Sequence, residues 1–167
     1  MEITWQQILD ALARNENLCD IGYQYAEYDY GGYCLWVIDC VRHIVPITEQ
    51  YFSSSDITEL STSLDTAVEF INGDTDIEAV MSAAQRTQQI TQAYYSANEK
   101  VRWDVSETLD AINNAIELTL PNTSVYHEDV LLAAAHVGAR PPRPYYESKQ
   151  EIAWHRKALS NRLLKNE

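Results

Sequence analysis

Hydrophobic positions recur at spacings of three and four through most of the chain, and polar capping residues mark where each run begins. Thr4 with Gln7 forms a capping-box pattern ahead of Trp5, Ile8, Leu9 and Leu12. A second helix is predicted over 18–28, closed by Gly31-Gly32. A third starts at Tyr33 and carries Trp36, Val37, Cys40, Val41 and Ile44; Pro46 kinks or ends it, with 47–52 as a continuation left open. Asp56 with Glu59 forms the next capping box, followed by Ile57, Leu60, Leu64, Val68 and Ile71 and by Gly73 at a helix C-terminus. Thr75 with Glu78 repeats the signal at once, ahead of a weaker stripe of Ile77, Met81, Ala84, Gln88 and Thr91. Val101, Val105, Leu109, Ile112 and Ile116 form a strong stripe that stops before Pro121. Helices over 56–72, 75–98 and 99–119 with such short links are expected to be consecutive antiparallel neighbours.

Toward the C-terminus, 124–137 reads as a small alanine-rich helix ended by Gly138. The run Arg140-Pro141-Pro142-Arg143-Pro144 lies within a Pro-rich connector, 138–147. Ser148 with Glu151 opens a final helix bearing Ile152, Leu159 and Leu163. No segment alternates long enough to be a strand, and no long-period repeat is visible. The expected fold is all-α: residues 1–167 form a single-domain multi-helix bundle of about seven helices, orthogonal or solenoid-like. Its expected core contains Trp5, Ile8, Trp36, Cys40, Ile44, Leu60, Leu64, Leu109, Ile112, Ile116, Leu159 and Leu163, with Trp36 and Trp154 as structural indoles.

Length and composition fit that picture. A chain of 167 residues can bury roughly two-thirds of its unfolded surface without a disulfide or metal staple. The charge adds a constraint. There are 25 Asp and Glu against 12 Lys and Arg, a formal −13. That disfavours phosphate backbones and anionic membranes and favours a basic partner, or nothing more than solubility. The distribution is uneven: residues 140–167 carry +4 and the first 139 carry −17. The basic tail either packs on the acidic body or forms a separate basic surface. Cys19, Cys34 and Cys40 show no zinc-like pairing, and no apolar run is long enough to span a bilayer. With no signal-peptide pattern, a cytoplasmic protein with reduced thiols is expected.

Few constellations could carry chemistry. Asp39, Cys40 and His43 lie within one helical turn and invite a metal or thiol-enzyme reading. A closed zinc site needs about four ligands, and no second Cys/His pair is present. Glu151 and His155, four apart, are the nearest imitation of a di-iron motif. Phosphate-binding loops and a nucleophile elbow are missing. Neither catalysis nor a cofactor or metal is expected.

The densest unusual feature is the segment from Asp20 to Tyr33, where five of the eleven tyrosines fall within eleven residues. Rings at every second or third position cannot all share one helical face, so some must reach the surface. Asp20, Tyr25, Glu27, Tyr28, Asp29 and Tyr30 are the candidate partner-binding residues, because tyrosine beside carboxylates suits an interface with basic residues. Packing of these rings into the core is the competing reading. The acids around Asp65, Glu69, Asp74 and Asp76 are the next candidate surface.

The run Trp36-x-x-Asp39-Cys40-x-x-His43-x-x-Pro46-x-x-Glu49-x-Tyr51 resembles the helical immunity proteins of bacterial polymorphic toxin systems. The likeness continues through the helix ending at Gly73 and the alanine-rich segments to Glu151-x-x-Trp154-x-x-x-x-Leu159, and reaches more loosely into the helices before Tyr33. Here the middle helices hold less alanine, His155 stands where glutamine is expected, and Pro141-Pro142 is added. The resemblance implies a helical bundle that neutralises a cognate toxin by tight association. The expected function is therefore that of an acidic protein-binding module, an immunity protein for a basic toxin domain, with neither nucleic acid nor membrane as partner. The alternatives are a metal or thiol enzyme centred on Asp39, Cys40 and His43, or a nucleic-acid mimic.

Overall fold

A computed structural model describes residues 3–97, 102–121, 130, 131, 134, 137 and 149–165. Among the described residues seven helices can be delimited: α1 (Trp5–Ala13), α2 (Leu18–Tyr28), α3 (Tyr30–Thr48), α4 (Ser54–Asn72), α5 (Ile77–Ala97), α6 (Trp103–Glu117) and α7 (Lys149–Lys165), with a 3₁₀ turn at Glu49–Tyr51. Val130, Leu131, Ala134 and Val137 are also helical and buried. Among the described residues there is no strand. The 138–147 connector and the Ser148 cap lie outside the described residues.

Local chemistry explains most helix ends. Thr4 and Gln7 bond reciprocally across the start of α1. Asn15, at φ 58°, turns the chain out of that helix, a left-handed conformation that asparagine tolerates. Asn17 then caps α2 through the amides of Cys19 and Asp20. Two caps differ from the sequence expectation by a few residues. Ser53, not Asp56, is the cap of α4, and Asp56 is the residue whose amide it receives, at 3.1 Å. At α5, Asp76 rather than Thr75 accepts the Ala79 amide, at 3.0 Å. The closing residue of α4, Gly73, has φ 81° and accomplishes the reversal into α5.

The glycine pair needs a different explanation from the one its sequence suggests. Asp29 ends α2 and caps α3, which begins at Tyr30, so Gly31 and Gly32 lie inside the first turn of α3. They do not close a helix. At Gly32 a methyl group would overlap the Asp29 carboxylate and the Tyr25 hydroxyl. A side chain there would displace the Asp29 cap or the Tyr25 hydroxyl, so glycine serves close approach rather than a turn. Helix α3 also runs through Pro46, near its C-terminal end; the proline removes the amide that would meet the carbonyl of Arg42, and both residues lie on the exposed side of the helix.

Helix α3 is the hub. It packs against α2, α4, α6 and α7, while α4–α5–α6 pack on one another and α1 joins α2 to α7. Contacts of α3 with α6 and α7 tie together elements far apart in sequence. Trp36, Cys40 and Ile44 lie fully buried along α3, and Leu60, Leu64, Leu109, Ile112, Ile116, Leu159 and Leu163 face it or its neighbours. Trp5, expected in the core, is only half-buried; the inward positions of α1 are Ile8 and Ala11. On α5 the buried stripe is Val80, Ala83, Ala84 and Thr87; Met81 is exposed. Small side chains let α5 sit close on α4, and the Thr87 hydroxyl is satisfied by donating to its own helix at Ala84, 2.9 Å away.

Candidate functional sites

Helix α2 divides its tyrosines by helical phase. Tyr25 is fully buried with Ile21 and Gly22 on the inner face. Asp20, Tyr23 and Glu27, at i, i+3 and i+7, share the outer face, with Tyr28 beside them. Tyr23, Tyr28 and Tyr30 are 42–47% exposed. Tyr25 is thus removed from the expected contact set: burial, and then the nearby Asp29, push its pKa up to about 12, so its hydroxyl stays neutral. Asp29 is occupied as the α3 cap, accepting the Gly32 amide at 2.9 Å. Tyr30 keeps an exposed ring while its hydroxyl donates to the Leu118 carbonyl beyond α6, 2.7 Å away. Tyr33 is buried against Trp36. Asp20, Glu27, Tyr28 and Tyr30 keep the exposure that a contact needs, and Tyr23 joins them. Its phase with Asp20 and Glu27 was the signal for it in the sequence.

The other sequence candidate, Asp39–Cys40–His43, does not converge. Cys40 is fully buried, and burial, followed by the neighbouring carboxylate of Asp39, raises its thiol pKa well above the ordinary value. Asp39 pairs with Arg162 of α7. His43 directs Nδ1 to Glu151 of α7 at 2.7 Å. The side chains of one helical turn thus part, one to the core and two to another helix. Among the described residues no group of three or more His, Cys, Asp or Glu side chains could hold a metal ion.

Glu151 and His155 belong to the same junction. Glu151 is 4% exposed and His155 fully buried, on the face of α7 that meets α3. His155 Nε2 approaches the same Glu151 oxygen at 3.2 Å, close enough for a charge interaction but off the direction of a hydrogen bond, so both its ring nitrogens lack a directed partner. Burial by itself would raise the Glu151 pKa, but His155 and His43 together outweigh it and hold the carboxyl below its ordinary range. The Trp36 indole donates to the His155 carbonyl at 3.0 Å, and the Trp154 ring stacks on His43 at 3.9 Å and 11°. Trp154 is only half-buried, unlike Trp36.

Above this junction lies an open groove of about 540 Å³ between α3 and α7, whose walls include Asp39, Arg42, His43, Trp154, Arg162 and Lys165. A smaller hollow shares His43 and carries Tyr51, Arg102 and Asp104. The basic C-terminal segment therefore does pack on the acidic body in part: Arg162 meets Asp39, and Arg156 donates to the Glu16 carbonyl.

No protein-family model, curated protein or solved structure matches this chain. None of the described helices is long and apolar enough to cross a membrane.

Proposed function

We propose that this chain is an acidic protein-binding module that receives a basic partner on the outer face of α2 and the start of α3. One observation carries the reading. Among the described residues six large hydrophobic side chains are exposed, and three of them, Tyr23, Tyr28 and Tyr30, fall within eight residues beside the exposed acids Asp20 and Glu27. A tyrosine ring offers a large contact area for few rotors, and tyrosine is enriched among the residues that dominate interface energetics. The carboxylates would speed encounter with a cationic surface, an effect that added salt weakens.

The resemblance to helical immunity proteins supports a specific partner, a toxin domain neutralised by occlusion. The buried free thiols of Cys34 and Cys40 suit the reducing cytoplasm in which such a pair would meet. The test is co-purification with a toxin-like domain encoded beside this gene, followed by single alanine substitutions at Tyr23, Tyr28 and Tyr30. At least one should weaken binding by more than about 2 kcal/mol without loss of helicity. Unchanged affinity in all three would move the contact elsewhere, with Asp65, Glu69, Asp74 and Asp76, all exposed, next in line. No inhibition of the toxin domain at all would remove the immunity reading.

A further inference from the structure

We infer that the groove between α3 and α7 is a binding site for a small organic anion, a carboxylate or phosphate carried on a flat ring. The inference is independent of the α2 surface.

Charge is the first argument. Four of the nine basic side chains among the described residues, Arg42, Arg102, Arg162 and Lys165, line the groove and the hollow that adjoins it, against two acidic ones, Asp39 and Asp104. The chain as a whole carries −13. A cationic hollow is against the trend of this surface. Its guanidinium groups are also held in place. Arg162 is pinned by Asp39, Arg42 by Asp65, and Arg102 by both oxygens of the buried Asp104 at 3.1 and 3.0 Å. A guanidinium has five N–H donors, so each arginine keeps donors for a ligand while its position is set beforehand.

The wall is the second argument. Trp154 and His43 form a stacked pair, and the imidazole cannot turn freely because the buried Glu151 carboxylate grips its Nδ1. Burying a carboxylate and a second, incompletely satisfied histidine stabilises a fold less well than an apolar core of the same volume would. The arrangement does hold a flat ring rigidly at the edge of a cationic hollow. Polar groups buried at a cost and clustered under a concavity mark functional sites more often than the rest of the core. The indole, half-exposed on this wall, presents an apolar surface that a planar ligand would cover.

Size and field select the ligand class. The groove falls within the roughly 300–1,000 Å³ typical of small-molecule sites. Its local excess of cations suits one or two negative charges, whereas the field of the whole chain repels a polyanion such as nucleic acid.

The experiment follows the indole N–H signals by two-dimensional NMR, with the Trp154 signal assigned by W154F. Four probes are titrated: indole-3-acetate, adenosine 5′-monophosphate, acetate and inorganic phosphate. A saturable shift of the Trp154 signal with either ring-bearing anion, at a Kd of about 1 mM or below, is expected, and its absence with acetate and phosphate alone. The exposed changes Arg42→Ala and Lys165→Ala, checked for unaltered helicity, should together weaken binding about tenfold. Equal shifts from the ringless ions, shifts spread over all indoles, no saturable shift with any probe, or unchanged affinity in the double variant would each overturn the inference.

Discussion

Helices α4–α6 and helix α7 are both held to α3, by different chemistry. On α6 the inward face is Val105, Leu109, Ala111, Ile112, Ala115 and Ile116, with Asp104 and Thr108 as the polar exceptions. Asp104 is answered by Arg102 two residues away, and the Thr108 hydroxyl donates to the Asp104 carbonyl within the same helix at 2.8 Å. On α7 the buried positions are Glu151, His155, Leu159 and Leu163. Half of that stripe is ionisable, and Glu151 has to find His43, 108 residues earlier in the chain. Burial of apolar area is non-directional and tolerates adjustment. A buried carboxylate is stabilising only when its partners are in place. The first attachment should therefore depend on pH less than the second.

Four substitutions sharpen or break this contrast. The largest effect belongs to Trp36, which serves both regions by filling the core of α3 and by donating to the His155 carbonyl of α7. Trp36→Ala should destabilise by about 3–5 kcal/mol in denaturant unfolding, and hydrogen exchange should quicken in α6 and α7 together. Quickening in only one of them would mean that the indole does not couple the two. Next comes Leu109→Ala, at a fully buried position of α6. A loss of about 2–5 kcal/mol is expected, with the cavity setting the value, and the loss should be equal at neutral and mildly acid pH.

Glu151→Gln should cost about 1–3 kcal/mol at neutral pH, because His43 and His155 then face an uncharged amide. The pH dependence is the sharper readout. The folded carboxyl has a pKa below the ordinary 4.5, so the unfolded chain takes up its proton first. Its contribution to stability is present above about pH 4.5 and is lost as pH falls through the lower folded value. The wild-type protein should lose that part of its stability in acid, while the Gln variant should show a flatter acid limb. Parallel acid profiles for the two proteins would sink the idea that α7 is held by this carboxylate. The smallest effect tests a joint inside the apolar group. Gly73→Ala places a methyl group in open space but at φ 81°, and should cost about 1 kcal/mol of backbone strain. A neutral result would show that the α4–α5 joint relaxes.

What the sequence determined by itself was local. Thr4 with Gln7, Gly73, and the stripe from Val105 to Ile116 act over one to a few helical turns, so their meaning is complete in the residues that carry them. The helices, their order and most of the core could be read from such signals. Tertiary packing decided the rest. It turned Tyr25 inward and left Tyr23 outward, because the neighbours of α2 set which phase of that helix faces the core. It made Gly32 a point of close approach instead of a turn, since only the folded chain brings the Tyr25 hydroxyl over it. It chose Val80 over Met81 for the inner face of α5, where small residues allow close contact with α4. It also drew Asp39 and His43 away from Cys40 toward α7. Side chains within one turn have their spacing from the helix, but which distant partner each one reaches depends on the packing of α7 against α3, and no local spacing encodes that.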